Sequence, residues 1–194
     1  MQNSYGPFKS KKTSKMLNKI LDKCDFISAR ESISALGETN GLGRNIPLYP
    51  DLAFYLDKTD KQTMVKYLKE KYDIDSTKNK YVAITVRPYR FYSYENPEEK
   101  YEQYKKSFVQ FIDFLKQNKY IPLLVVHTRA ENEHENDEHC INEIVEMIEN
   151  KENIKVIKDD NLNCYDLKAI YGECTYVIGT RFHSVIFSLE QLIP

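Results

Sequence analysis

Arginine and histidine recur in this sequence at one kind of position, immediately after a short β-branched run. Tyr176-Val177-Ile178-Gly179 leads into Thr180, Arg181, His183 and Ser184; Tyr81–Val86 leads into Arg87; Ile121–Val126 leads into His127. A guanidinium offers a planar fork of donors to a carboxylate or phosphate, and an imidazole exchanges a proton near neutral pH. The chemistry that these types can perform together is to hold an anion and move a proton to or from it. Arg30 follows the run Asp25–Ala29 in the same way. For Arg30, an ion pair with Glu31 or Asp51 that holds the interdomain edge together weighs more than a direct role. One further stretch attracts attention: Glu131–Cys140, ENEHENDEHC, which gathers His134, Asp137 and His139. Its spacing matches no zinc pattern, and acids at the start of a helix are favoured by the helix dipole, so no metal site is expected there.

The elements that must position these residues follow from periodicity. Phe182, Val185, Ile186 and Leu189 fall at i, i+3, i+4 and i+7, which predicts a helix starting near Thr180 or Arg181 directly after a buried strand at Tyr176–Ile178. The amide groups of its first turn and the Ser184 hydroxyl are then candidates to meet phosphate oxygens. Tyr81–Val86, Ile121–Val126 and Ile154–Ile157 read as further strands, with Pro88 stopping the first. Between them, Tyr101, Tyr104, Phe108, Phe111, Ile112 and Leu115 keep helical spacing, as do Ile141, Ile144, Val145 and Ile148; Leu167–Tyr171 is a shorter helix. The reading βαβαβαβα, with right-handed crossovers, predicts a Rossmann-like parallel sheet with helices on both faces. All strand C-termini then open on one edge, where such folds bind their ligands, so Arg87, His127 and the Arg181/His183 pair converge there.

Upstream, Ser14 is read as the cap of a helix over Lys15–Lys23, with Met16, Leu17, Ile20 and Leu21 as its apolar stripe. A strand over Asp25–Arg30, a short helix over Ile33–Leu36 and the apolar run Leu52–Leu56 follow. Three segments result: residues 1–58 as the end of one α/β domain, 59–80 as a linker that includes a short helix, and 81–194 as the Rossmann-like domain. Basic and acidic residues number 28 and 29, a net charge of −1, which gives no electrostatic case for nucleic acid or an anionic membrane surface. Four cysteines without a C-x-x-C pair, no apolar run of membrane-spanning length and a polar start place the expectation in the cytoplasm.

The string from Asp166 to Leu189, DLKAIYGECTYVIGTRFHSVIFSL, resembles the closing segment of the polysaccharide pyruvyl transferase family, a helix followed by a "vIGtR-x-H-s" strand–helix junction. ISARES at residues 27–32 with the following YPDLAFYL, and ITVRP at 84–88, resemble further family segments in the same order. The resemblance implies a GT-B-like fold, no separate cofactor, phosphoenolpyruvate as donor substrate and a saccharide or lipid-linked saccharide as acceptor. It implies Arg87 and Arg181 as anion anchors, His183 and then His127 as proton donor or phosphate clamp, Thr180, Ser184 and Arg30 as supporting residues, and Asp137 through a loose "ND" match. Against the family pattern the acceptor-binding half is expected to be largely absent, leaving activity of this chain alone open. Two alternatives stand beside this one: a GT-B glycosyltransferase using a nucleotide sugar, and a non-catalytic remnant. Homo-oligomerisation is left open.

Overall fold

A computed structural model describes residues 2–194. The chain divides into two units, one ending at Leu56 and the other spanning Asp57–Pro194.

In the first unit, β1 (Gln2–Asn3) pairs in parallel with β2 (Ser28–Ala29) across helix α1 (Lys11–Leu21). The helices α2 (Ser32–Ala35) and α3 (Gly37–Asn40) and a 3-10 turn, Leu52–Tyr55, complete it. Its core is built from Tyr5, Leu21, Ala29, Ala35, Leu42 and Ile46. Helix α1 starts four residues earlier than its periodicity predicts because Ser10, not Ser14, is the cap, accepting the Thr13 amide at 3.4 Å. Ser14 donates instead to the Gly41 carbonyl at 2.8 Å. The expected stripe is only half right: Leu21 is buried, but Met16 and Ile20 are exposed. The Asn18 side chain lies on the inward side, donating to the Leu42 carbonyl at 2.9 Å. The strand read over Asp25–Arg30 contracts to the two residues of β2.

The second unit begins with helix α4 (Lys61–Tyr72), so the stretch 59–80 read as a linker lies within this unit and is largely helical. Asp60 caps α4 by accepting the Thr63 amide at 3.0 Å. Then follow β3 (Tyr81–Thr85), α5 (Pro97–Gln117), β4 (Ile121–Val125), α6 (Asp137–Met147), β5 (Lys155–Ile157), α7 (Cys164–Gly172), β6 (Tyr176–Gly179) and α8 (Phe182–Glu190). Every pairing in the sheet is parallel and its order is β5-β4-β3-β6.

All five residues of β3 are buried, as a central parallel strand covered on both faces requires. Alternation along the strand distributes the cover. Val82, Ile84 and Val86 pack with Leu124 and Val126 against Ile112 and Leu115 of α5 and Cys140, Ile141 and Ile144 of α6. Thr85, on the other face, shares a hydrogen bond of 2.9 Å with Ser184 of α8. The aromatic stripe of α5 packs on this core as its spacing predicts, with Tyr101, Tyr104, Phe108 and Phe111 against it. The strand at Tyr176–Ile178, expected to be buried, is an edge strand instead. Tyr176 and Ile178 on one face are about 40 % exposed while Val177 is buried. Among the described residues no strand continues the sheet beyond β6; the Val177 amide is met by the Pro194 carbonyl at 2.9 Å.

Candidate functional site

The chain runs outward from β3 through β4 to β5 and then returns to place β6 on the other side of β3. The direction of strand addition reverses between β3 and β6, and the carboxyl edge at such a reversal is where open α/β sheets leave a crevice. Thr85 and Gly179 are paired there. Arg87 and Arg181 each follow their paired residue by two positions, so both arginines leave the sheet at the crevice.

Their surroundings differ. Arg181 is 12 % exposed and directs Nε and Nη2 at Oδ1 of Asp137, at 2.9 and 2.6 Å. Nη2 also donates to the Glu135 carbonyl at 3.0 Å, and Nη1 lies 3.3 Å from the Glu135 carboxylate. Asp137 is wholly buried at the first position of α6, and its carboxylate accepts the Thr128 amide at 2.9 Å. Burial lifts its carboxyl above the ordinary value, opposed by Arg181 and by the amides of Thr128 and His127. The pair fixes the turn after β6 to the start of α6. Arg87 has fewer commitments. It is 37 % exposed, lies 5.5 Å over the Tyr89 ring, and its buried Nε has no hydrogen-bond partner among the described residues. Its Nη2 stands 3.8 Å from the Glu135 carboxylate. A single carboxylate therefore spans the two guanidinium groups.

The two histidines stand together. His127 Nδ1 lies 2.8 Å from the Tyr171 hydroxyl, and the His127 and His183 rings both pack near Phe187. Both histidines line one cavity of about 340 Å³ with Arg129, Asp159 and Cys164. Burial, helped by the charges of His183 and Arg181, pushes the His127 imidazole down to about 4. It is neutral at physiological pH. The start of α8 at Phe182 places the positive end of a helix dipole beside His183.

Three other expected contributors are placed differently. Ser184 is fully buried, bonding Thr85 Oγ1 and the Arg181 carbonyl, at 2.7 Å for the latter, so it pins α8 to β3 and presents nothing to a ligand. Thr180 is a clasp of the same kind: its hydroxyl donates to the Thr85 carbonyl at 3.0 Å. Gly179 is required here, because a Cβ on it would stand 2.5 Å from Ser184 Oγ and 2.7 Å from Val185 Cγ2. Arg30 belongs to the first unit, where it forms the expected ion pair with Asp51 at 2.8 Å and also bonds Ser4 at 2.9 Å. Glu135, Tyr171 and Tyr104, whose hydroxyl accepts the Arg87 amide at 3.3 Å, escape the sequence reading. Glu135 lies in the acidic stretch already singled out, but nothing local marks it apart from its neighbours. Among the described residues no three His, Cys, Asp or Glu side chains converge in a way that would hold a metal ion.

The model of the family described as polysaccharide pyruvyl transferase matches residues 3–194. The chain belongs to that family. In three dimensions it is similar to the crystal structure of the glycosyl transferase family 9 protein from Veillonella parvula DSM 2008, with a TM-score of 0.50 at 11 % identity. The match covers 98 % of this chain and 54 % of that one, so the chain spans about half the neighbour's length. At this identity the likeness concerns the fold, which is GT-B-like, as the pyruvyl transferase resemblance implies. A cavity of about 990 Å³ lies at the edge of the sheet opposite the crevice, among Asp60, Lys69, Asn79 and Thr175, and includes none of these arginines or histidines. No helix of the described residues is long and apolar enough to cross a membrane.

Proposed function

We propose that this chain takes part in transfer of a pyruvyl group from phosphoenolpyruvate to a pair of saccharide hydroxyls. The observation that supports the donor most directly is the Glu135 carboxylate between Arg87 Nη2 and Arg181 Nη1, at 3.8 and 3.3 Å. It is an internal anion in the seat where an external one would be held. Phosphoenolpyruvate, with a carboxylate and a phosphate, would displace it and draw on the unused Nε of Arg87.

In the proposed reaction the methylene carbon accepts a proton while a sugar hydroxyl oxygen bonds to the adjacent carbon. The C–O bond to phosphate breaks, phosphate leaves with its electron pair, and a second hydroxyl closes the ketal with loss of its proton. The two hydroxyl protons balance the methyl group formed and the protonated phosphate. His183, exposed in the first turn of α8 two residues after Arg181, is assigned as proton donor. His127, neutral well below physiological pH, serves better as its fixed neighbour than as an acid.

A thermal-shift titration with phosphoenolpyruvate tests this, with inorganic phosphate and uridine diphosphate as controls. Donor at about 100 times its dissociation constant should add about 2.7 kcal/mol, or roughly 5–10 °C in Tm for a chain of this size. Arg87→Ala should abolish the response. That substitution is cleaner than one at Arg181, which would leave Asp137 buried without its partner. No response to phosphoenolpyruvate, or a response to uridine diphosphate alone, overturns the reading. The second outcome would transfer it to a nucleotide-sugar enzyme.

A further inference from the structure

The loop between β3 and α5 carries five aromatic or cationic side chains in six residues: Tyr89, Arg90, Phe91, Tyr92 and, after Ser93, Tyr94. Its conformation is held by Phe91, whose ring meets Tyr89 at 4.7 Å, Tyr94 at 5.5 Å and Tyr104 of α5 at 5.9 Å. Phe91 itself sits at φ 51°, a left-handed backbone that a bulky side chain adopts only when its surroundings enforce it. With the loop so pinned, Tyr89, Arg90 and Tyr92 line a cavity of about 310 Å³, whose remaining wall includes Tyr101, Glu98, His134 and His139.

The lining is mixed in a specific way. Tyr89 and Tyr92 supply flat apolar faces, Tyr92 with 80 % of its surface exposed. Glu98 accepts hydrogen bonds, Arg90 donates them, and the two imidazoles do either. Arg90 Nη2 is buried without a hydrogen-bond partner among the described residues, an unmet donor at the wall. Aromatic planes beside a ring of paired donors and acceptors fit a pyranose, which has apolar C–H faces and an equatorial belt of hydroxyls. The cavity also adjoins the crevice: the Arg87 guanidinium stacks on Tyr89 at 5.5 Å, and His134 precedes Glu135 in the chain.

We infer that this cavity seats a pyranose residue of the saccharide acceptor, with Tyr92 as its stacking platform and Arg90 as its polar anchor. The inference rests on the pyruvyl-transfer reading for the word acceptor, and on the cavity alone for saccharide binding. The test is saturation-transfer NMR of the whole chain with a panel of methyl glycosides of common hexoses and hexuronic acids, run beside the phosphoenolpyruvate thermal shift. At least one glycoside should show saturation transfer from the protein, and Tyr92→Ala and Arg90→Ala should each weaken it by about fivefold or more, with the phosphoenolpyruvate response retained. A donor response without glycoside binding, or glycoside binding untouched by both substitutions, overturns the inference and leaves the donor reading standing. Glycoside binding lost on Tyr92→Ala with no phosphoenolpyruvate response in any protein retains the cavity as a saccharide site and overturns the donor reading. Displacement of the glycoside by uridine alone identifies the cavity as a base pocket and overturns the inference.

Discussion

Removing the Asp137 carboxylate should be among the most costly single changes in the second unit. Asp137 has no exposed surface, and it accepts two hydrogen bonds from an arginine that is itself 12 % exposed. Deleting one member of a buried pair strands the other, at a cost of about 3–5 kcal/mol. Asp137→Ala would also orphan the Thr128 amide, worth about 1 kcal/mol. Against this, Glu135 remains near Arg181, but its carboxylate is 53 % exposed and weakly coupled. The net expectation is a loss of about 3–5 kcal/mol, or a fall in urea midpoint of about 2 M at an m-value near 2 kcal/mol/M. There is no tryptophan, so unfolding should be followed by far-ultraviolet circular dichroism together with amide exchange on β4 and α6. The exchange data separate this unit from the first, since two units need not unfold together. In an Arg181→Met background the partner is already gone, and Asp137→Ala should then cost much less. A loss below about 1 kcal/mol, or the same loss in both backgrounds, would refute the buried-pair argument.

Other expectations follow from the same geometry. Glu135→Gln removes the internal competitor for the two arginines; since exposed pairs contribute up to about 1 kcal/mol, phosphoenolpyruvate should bind up to about fivefold more tightly by calorimetry, and unchanged or weaker binding would show that Glu135 does not occupy the donor seat. His127 should titrate near pH 4 by NMR. Because its folded value lies below the ordinary 6.5, the stability attached to it is complete above pH 6.5 and is lost as pH falls through the window down to about 4; a midpoint near 6.5 would remove that contribution. Ser184→Ala should cost about 1 kcal/mol through loss of the buried Thr85–Ser184 hydroxyl bond, with Thr85 Oγ1 still accepting the Thr180 amide, while leaving the response to phosphoenolpyruvate intact, and loss of that response with the fold preserved would restore Ser184 as a ligand. Gly179→Ala forces a methyl group against Ser184 and Val185 and should destabilise by about 1–3 kcal/mol in chemical denaturation; a neutral result would mean that α8 can shift on the sheet.

Periodicity located most of the second unit because its signals are local. An aromatic stripe at helical spacing has few options but to face a core, and Tyr101 to Leu115 do so. The misreadings share a cause. Tyr176–Ile178 has the composition of a buried strand, but burial depends on which strand lies beside it, and the order β5-β4-β3-β6 leaves it at the edge. Ser10 and Ser14 both satisfy the local grammar of a helix start, and Gly41, far along the chain, engages Ser14.

The two arginines carry the same lesson into the site. In sequence they are equivalent, each two residues past a paired strand position, and reading them as a matched clamp is the natural consequence. The structure makes them unlike through one loop that belongs to neither strand. The segment leading into α6 and the first residue of that helix deliver Glu135 and Asp137 from 46 and 44 residues away to Arg181, while only the tip of Glu135 comes near Arg87. Strand ends determine where a cation emerges; partners from elsewhere in the chain determine how much of it a ligand can still use. On that argument Arg181 chiefly fixes the shape of the crevice and, in the proposed reaction, would lend one nitrogen to the anion. Arg87, with an unspent Nε, is then expected to carry the larger share of affinity for the proposed donor.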